Sequence, residues 1–309
     1  MLGYQKRRRR KKDREFTVKV TFFSAGSHGA GHVTRAWALQ QALARQAPQV
    51  AFTALLPPSP FLHRLGDAGR AVEIDHAALL TKETAATSPL ARAIADSAPD
   101  IVLVDMFWAP LACIQLPCPV WLMLRSVPPV WLVGPREVPF DSSRYARILA
   151  IEPAPALSAF EATPPVVATT TATPPFALSR HASRAALAAL MGVSAEAPIR
   201  VVVSSGLQGD RPVLEAESLR QGGHWHSFDG LADDAVFPIS PLLTGADAII
   251  AAPGYNTFWE SRLLGFDDRC TFVPIKRTID NTDWRAALPS SVRFDENGAD
   301  VIARMLVRG

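Results

Sequence analysis

The residues whose types and spacing could do chemistry run from Ala252 to Glu260: Ala-Pro-Gly-Tyr-Asn-Thr-Phe-Trp-Glu. The apolar run 247–251 before them reads as a buried strand. The stretch 261–265 after them reads as a short helix closed by a glycine. A strand, a glycine turn and a helix start with free N–H groups form an anion site. Glu260, one turn inside the helix, then reaches the hydroxyls of whatever carries the phosphate. That layout suits a sugar nucleotide and points to a transferase rather than a redox enzyme. Thr257 and Glu260 also match a capping box, which would place the same glutamate for a purely structural reason.

The elements that must hold such a site occur twice. Residues 16–24 read as a first strand, followed by a glycine-rich turn, Ala25-Gly26-Ser27-His28-Gly29-Ala30-Gly31-His32, and a helix over 33–46. Strands are expected at 50–56, 71–74, 101–104, 120–124 and 148–151, that at 101–104 ending in Asp105. Residues 163–175 are rich in threonine and proline and suit an extended linker. Beyond them the pattern restarts. A helix is expected at 183–190, a strand at 199–203 running into Ser204-Ser205-Gly206-Leu207-Gln208-Gly209, and a helix at 212–220. A strand at 224–228 follows, then the 247–265 unit, a strand at 271–275 and a helix at 283–287. Alternation of strand and helix implies parallel sheets covered on both faces. The fold class is therefore α/β, two Rossmann-like open parallel sheets facing across a cleft, with ligands outside the carboxyl ends of the strands. The expected division is a basic tail over 1–15, a first domain over 16–162, a linker over 163–180 and a second domain over 181–309.

Composition narrows the class. The 309 residues carry a net charge of +3, with 48% hydrophobic and 20% charged residues, ordinary for a soluble two-domain protein. The basic excess sits in residues 6–12, Lys-Arg-Arg-Arg-Arg-Lys-Lys, and the remainder is slightly acidic. The body thus lacks the charge of a nucleic-acid binder. The basic block fits a disordered tail. It also suits peripheral contact with anionic membrane, at about 1 kcal/mol per basic residue. Cys113, Cys118 and Cys270 form no CxxC and read as reduced thiols, so a cytoplasmic location is expected. The longest apolar stretch, 119–134, is interrupted by Arg125 and Pro128-Pro129 and is too short to span a bilayer. His224 and His226 stand on one strand face without an evident third ligand, so no metal site is expected. A P-loop is excluded because the first turn lacks Gly-Lys-Ser/Thr.

Taken in order, Gly29-Ala30-Gly31-His32, the 204–209 loop and Gly254-Tyr255-Asn256-Thr257-Phe258-Trp259-Glu260 resemble the GT-B glycosyltransferases, and most of all the MurG-like, family 28 type. The resemblance covers most of residues 16–305. It implies a glycosyltransferase of hexosyltransferase type that moves a sugar from a nucleotide-diphosphate donor, a UDP-sugar for preference, to a small-molecule or lipid-linked hydroxyl acceptor, with no metal and no cofactor. Other classes on the same fold are a sugar-nucleotide epimerase or hydrolase and a non-catalytic binding subunit.

The resemblance puts His32 at the cleft beside the acceptor. A neutral imidazole there would take the acceptor proton, since its ordinary pKa of about 6.5 suits work near neutrality. The plainer role for His32 is to cap the helix that follows. His28 is the second candidate, and Asp105 would orient an imidazole or an acceptor hydroxyl, or simply turn the chain. On the donor side the resemblance implies Ser205, Gly206, Gln208, Gly254, Asn256 and Thr257 at the diphosphate and Glu260 on the ribose. Asp280 and Asn281 stand where the family carries an acidic residue and a glutamine for the donor sugar. The glutamine itself is missing, with Asn281 or Thr282 as substitutes. A final helix near residue 299 looks too short to cross back to the first domain, which would leave closure loose. The apolar segment 128–133 is either core or the lining for a hydrophobic acceptor.

Overall fold

The computed structural model describes residues 18–26, 31–133, 138–152, 166–168, 178–205, 209–230, 236–276, 282–294 and 296–308. The tail 1–15, His28, Gly206, Gln208, Asp280, Asn281 and most of the expected linker lie outside the described residues. The first half contains β1 (Val18–Phe23), α1 (Gly31–Gln46), β2 (Val50–Leu56), β3 (Gly69–Ala71), α2 (Lys82–Ala86), α3 (Pro89–Ser97) and β4 (Ile101–Asp105). It continues with β5 (Val120–Leu124), α4 (Pro129–Val133), β6 (Arg147–Ala150) and β7 (Val166–Ala168). The second half contains α5 (Arg180–Met191), β8 (Arg200–Ser204), α6 (Asp210–Gln221), β9 (His226–Asp229), α7 (Ser240–Leu243) and β10 (Ala248–Ala251). After these come α8 (Tyr255–Leu264), β11 (Cys270–Phe272), α9 (Asp283–Ala286) and α10 (Gly298–Arg308).

Two sheets result, ordered β3-β2-β1-β4-β5-β6-β7 and β11-β10-β8-β9, with every strand pair parallel. Their central strands are apolar on both faces because helices cover both. In β4, Ile101 and Leu103 enter one core and Val102 and Val104 the other. In β5, Trp121 and Met123 divide from Leu122 and Leu124 in the same way. The second sheet repeats this, with Val201 and Ile249 on one face and Val202 and Ile250 on the other.

Three expectations change. Residues 166–168, inside the stretch read as a linker, form β7, the edge strand of the first sheet, paired parallel with β6, and α5 already begins at Arg180. The helix after the glycine turn begins at Tyr255, six residues earlier than its sequence suggests, with Gly254 at its N-cap. And the final helix does cross back. Ala299, Ile302, Ala303 and Leu306 of α10 share one core with Val33, Leu39 and Leu43 of α1. Arg45 pairs with Asp300 at 2.7 Å on the rim of that contact. An eleven-residue helix suffices because its apolar side is continuous and meets Val33, Leu39 and Leu43 of α1, a helix buried over most of residues 33–43.

Candidate functional site

Three turns at the carboxyl edge of the first sheet bring the site together. β1 ends at Phe23 and runs into Ser24, β4 ends at Asp105, and β6 ends at Ala150 and runs into Ile151-Glu152. Just past Asp105 the chain reverses through Met106, whose φ of 68° lies in the left-handed region that a non-glycine residue rarely occupies. The reversal leaves the Asp105 carboxylate wholly buried under α1.

His32 lies in the first turn of α1 and meets that carboxylate, with Nδ1 2.6 Å from Asp105 Oδ2. Arg35, one turn further along the same helix, grips the other side. Its Nε donates to Oδ1 at 2.9 Å and its Nη2 to Oδ2 at 2.8 Å. The Ser24 hydroxyl lies 2.8 Å from His32 Nδ1 and donates to the Asp105 carbonyl oxygen at 3.1 Å. The anionic oxygen 2.6 Å from Nδ1 favours the neutral tautomer with its proton on Nδ1 and its lone pair on Nε2, against the Arg35 Nη2 donor 2.8 Å from the same nitrogen. Nε2 lies against Gly26, where a Cβ would come within 2.0 Å of it. Phe107 packs edge-on against the ring at 5.3 Å, and Trp131 of α4 against Phe107 at 5.3 Å.

The electrostatics follow from this packing. Burial holds the His32 pKa below its ordinary value; Asp105 works against that shift, while Arg35 and Arg125 add to it. Asp105 stays well below the usual carboxylate range: burial alone would raise it, but the Arg35 and His32 partners prevail. The ring is therefore neutral, and the carboxylate charged, at neutral pH.

The second half meets this edge with the N-terminus of α8. Asn256 accepts from Arg35 Nη1 at 3.2 Å and donates to the Gly31 carbonyl at 3.3 Å. The Tyr255 hydroxyl donates to the Ile151 carbonyl at 3.0 Å, and its ring is approached by Arg35, Arg125 and Arg285 at 5.2, 5.6 and 5.8 Å. Deeper still, Glu152 is fully buried between the halves. It accepts from Trp259 Nε1 at 2.7 Å and from Arg285 through two bonds, at 2.6 and 2.8 Å. Around α8, then, the two halves touch directly.

Of the expected residues, His32 and Asp105 come together, and Asn256 and Gly254 stand at the start of α8 across from them. Gly254 offers no side-chain oxygen to cap that helix. Thr257 therefore lies two residues inside the helix, and the capping-box role for Thr257 and Glu260 does not apply. Glu260 is 6% exposed, and its Oε1 has no hydrogen-bond partner. Burial pushes its pKa up to about 7, with Ser240 and Arg35 only partly offsetting it. Ser205, at the end of β8, donates to Asp210 at 2.5 Å. Thr282 is not free to replace the missing glutamine: its hydroxyl accepts from the Ile275 N–H at 2.8 Å and donates to the Ile275 carbonyl at 2.9 Å, closing a loop. His224 and His226 stack edge-on at 5.8 Å, and among the described residues no three His, Cys, Asp or Glu side chains gather to hold a metal. No helix among the described residues is long and apolar enough to cross a membrane. Arg35, Glu152 and Arg285 were not visible as site residues in the sequence. The spacing of His32 and Arg35, three apart on one helix face, was the available signal.

No protein-family model matches the chain, and no curated protein matches it in sequence. Solved structures do match its fold. MurG of Acinetobacter baumannii is 16% identical with a TM-score of 0.50, over 94% of this chain and 90% of that one. The MnaA–UDP co-structure from S. aureus is 12% identical with a TM-score of 0.55, over 94% of this chain and 88% of that one. The UDP-GlcNAc 2-epimerase of Neisseria meningitidis, bound to UDP-GlcNAc, is 11% identical with a TM-score of 0.53, over 94% and 90%. At these identities the likeness is one of fold: two facing Rossmann-like halves of GT-B type.

Proposed function

We propose that the protein is a glycosyltransferase that moves a sugar from a nucleoside diphosphate, a UDP-sugar for preference, to a hydroxyl acceptor. The observation that carries this reading is the His32–Asp105 pair, its carboxylate buried and its ring partly exposed, held at the carboxyl edge of the first sheet opposite the N-terminus of α8. In this reading Asp105 keeps the Nδ1 proton in place. Nε2 takes the acceptor hydroxyl proton as the oxygen attacks the anomeric carbon and the bond to the diphosphate breaks. The first-turn N–H groups at 255–257 and the positive end of the α8 dipole receive the departing diphosphate. Gly254, Asn256, Thr257 and the 205–208 loop line the phosphates, and Glu260 binds the ribose. Asp280 and Asn281 stay assigned to the donor sugar by resemblance, and His28 stays the second candidate for the proton acceptor. No metal is required by this scheme.

An epimerase or hydrolase shares the fold. What favours transfer is that both wholly buried carboxylates at this edge, Asp105 and Glu152, are committed to arginines, which leaves the neutral His32 ring as the group able to accept a proton. Calorimetry with a panel of nucleotide sugars, followed by assays for donor hydrolysis and transfer, tests the reading. UDP-sugar binding is expected, weakened more than tenfold by Glu260→Ala through loss of hydrogen bonds worth about 1.5–3 kcal/mol each. His32→Ala should cut turnover by roughly 10²–10⁴ with donor affinity nearly unchanged. Failure of every nucleotide sugar to bind would refute the proposal. Binding without turnover would make this a binding subunit, and inversion of the donor sugar without an acceptor would make it an epimerase.

A further inference from the structure

Arg35 has a place in the site that neither its position on a helix nor a stability role accounts for. It is buried to 2% exposure, and its three nitrogens go to three different tasks. Nε spans both Asp105 oxygens, at 2.9 and 3.0 Å. Nη2 lies 2.8 Å from Asp105 Oδ2 and 2.8 Å from His32 Nδ1. Nη1 leaves this cluster and crosses to Asn256 on the other half. We propose that Arg35 is a positioning residue: it clamps Asp105 so that Oδ2 faces His32 Nδ1, and it ties that geometry to contact with the start of α8.

The argument is one of charge and shape. Asp105, Arg35 and a neutral His32 sum to zero charge, with the carboxylate and the guanidinium both buried. Without the guanidinium, the buried carboxylate would find its counter-ion by protonating His32, and the ring would no longer be a base at neutral pH. Arg125 also faces the ring, and Tyr255, Glu152 and Glu260 face Arg35 from α8 and the end of β6. Arg35 touches both members of the pair. The planar fork matters as well, because an ammonium carries the charge but cannot span both oxygens and reach Asn256 at once. The inference rests on the assignment of His32 as the proton acceptor.

The test is an NMR titration of the full-length protein with labelled histidine, its His32 signal identified by His32→Gln. The His32 midpoint should lie below the ordinary value in the native protein and rise by more than about one pH unit in Arg35→Gln. Arg35→Lys should keep the midpoint within about half a unit of the native one, yet lose turnover while UDP affinity measured by calorimetry holds. An unmoved midpoint in Arg35→Gln, or a Lys variant with native turnover, would overturn the proposal. If Arg35→Gln does not fold, the Lys variant decides: a midpoint shifted upward by a unit or more, or native turnover, defeats it. A titration that shifts as expected in a protein that transfers no sugar would leave the Arg35 arrangement standing and remove the transferase reading instead.

Discussion

Two single residues govern how the His32 ring and the α8 carboxyl behave. Gly26 leaves the space that His32 Nε2 fills, so Gly26→Ala must push the imidazole off Asp105. Turnover should fall toward that of His32→Ala with the UDP dissociation constant unchanged; an alanine variant with native turnover would show that the ring need not sit where it does. Glu260 has a different signature. The unfolded chain releases its proton near 4.5 and the folded chain near 7. The folded state therefore binds the proton more tightly, and stability declines as pH rises between those values, then levels off. Over that window the loss is on the order of 3 kcal/mol. Glu260→Gln should abolish this slope and melt higher than the native protein above pH 7, as urea denaturation at several pH values will read. The sequence made His32, Asp105 and Asn256 legible because each follows a glycine turn or a strand end, where ligand sites gather in this architecture. It hid Arg35 and Glu152 because charged side chains ordinarily read as surface. Their partners lie 70 and 133 residues away, beyond the reach of any local pattern.

Among the elements, α10 carries the clearest consequence. Its Ile302 and Leu306, each 1% exposed, fill the α1 side of the first core. Leu306→Ala should cost about 2–5 kcal/mol, and hydrogen exchange should quicken in α1, a helix some 260 positions earlier in the chain. An effect confined to the second half would contradict the packing. Thr257→Ala should leave α8 intact, since Gly254 is the cap; a loss of helix there would restore the capping box. The central strands were readable because parallel strands covered on both sides are continuously apolar. β7 was not, being three residues at a sheet edge within a threonine and proline stretch that carries no period. The α10 stripe announced that the helix packs, but an amphipathic face does not name its partner.

At the scale of the whole molecule, the halves meet through a buried ion pair. Glu152 and Arg285 are each 0% exposed in their side chains and 2.6 Å apart. Glu152→Ala strands a buried guanidinium and should cost about 3–5 kcal/mol. Glu152→Gln with Arg285→Met should recover much of that, because neither charge is then left alone. Thermal melts of the three proteins check this, and a double variant no better than the single would mean that the contact is held by something else. The docking of α10 also bears on how the protein is made. The ribosome delivers β1 to β6 first, yet the core they enclose is finished by residues 298–308, which emerge well over a hundred positions later. Until those residues emerge, the first half exists with an apolar flank uncovered, a state that holdase chaperones recognise and proteases cut. A message broken off ahead of codon 298 would leave the first half without the helix that covers it, so the cell's quality control would read that loss through the incompleteness of the first core.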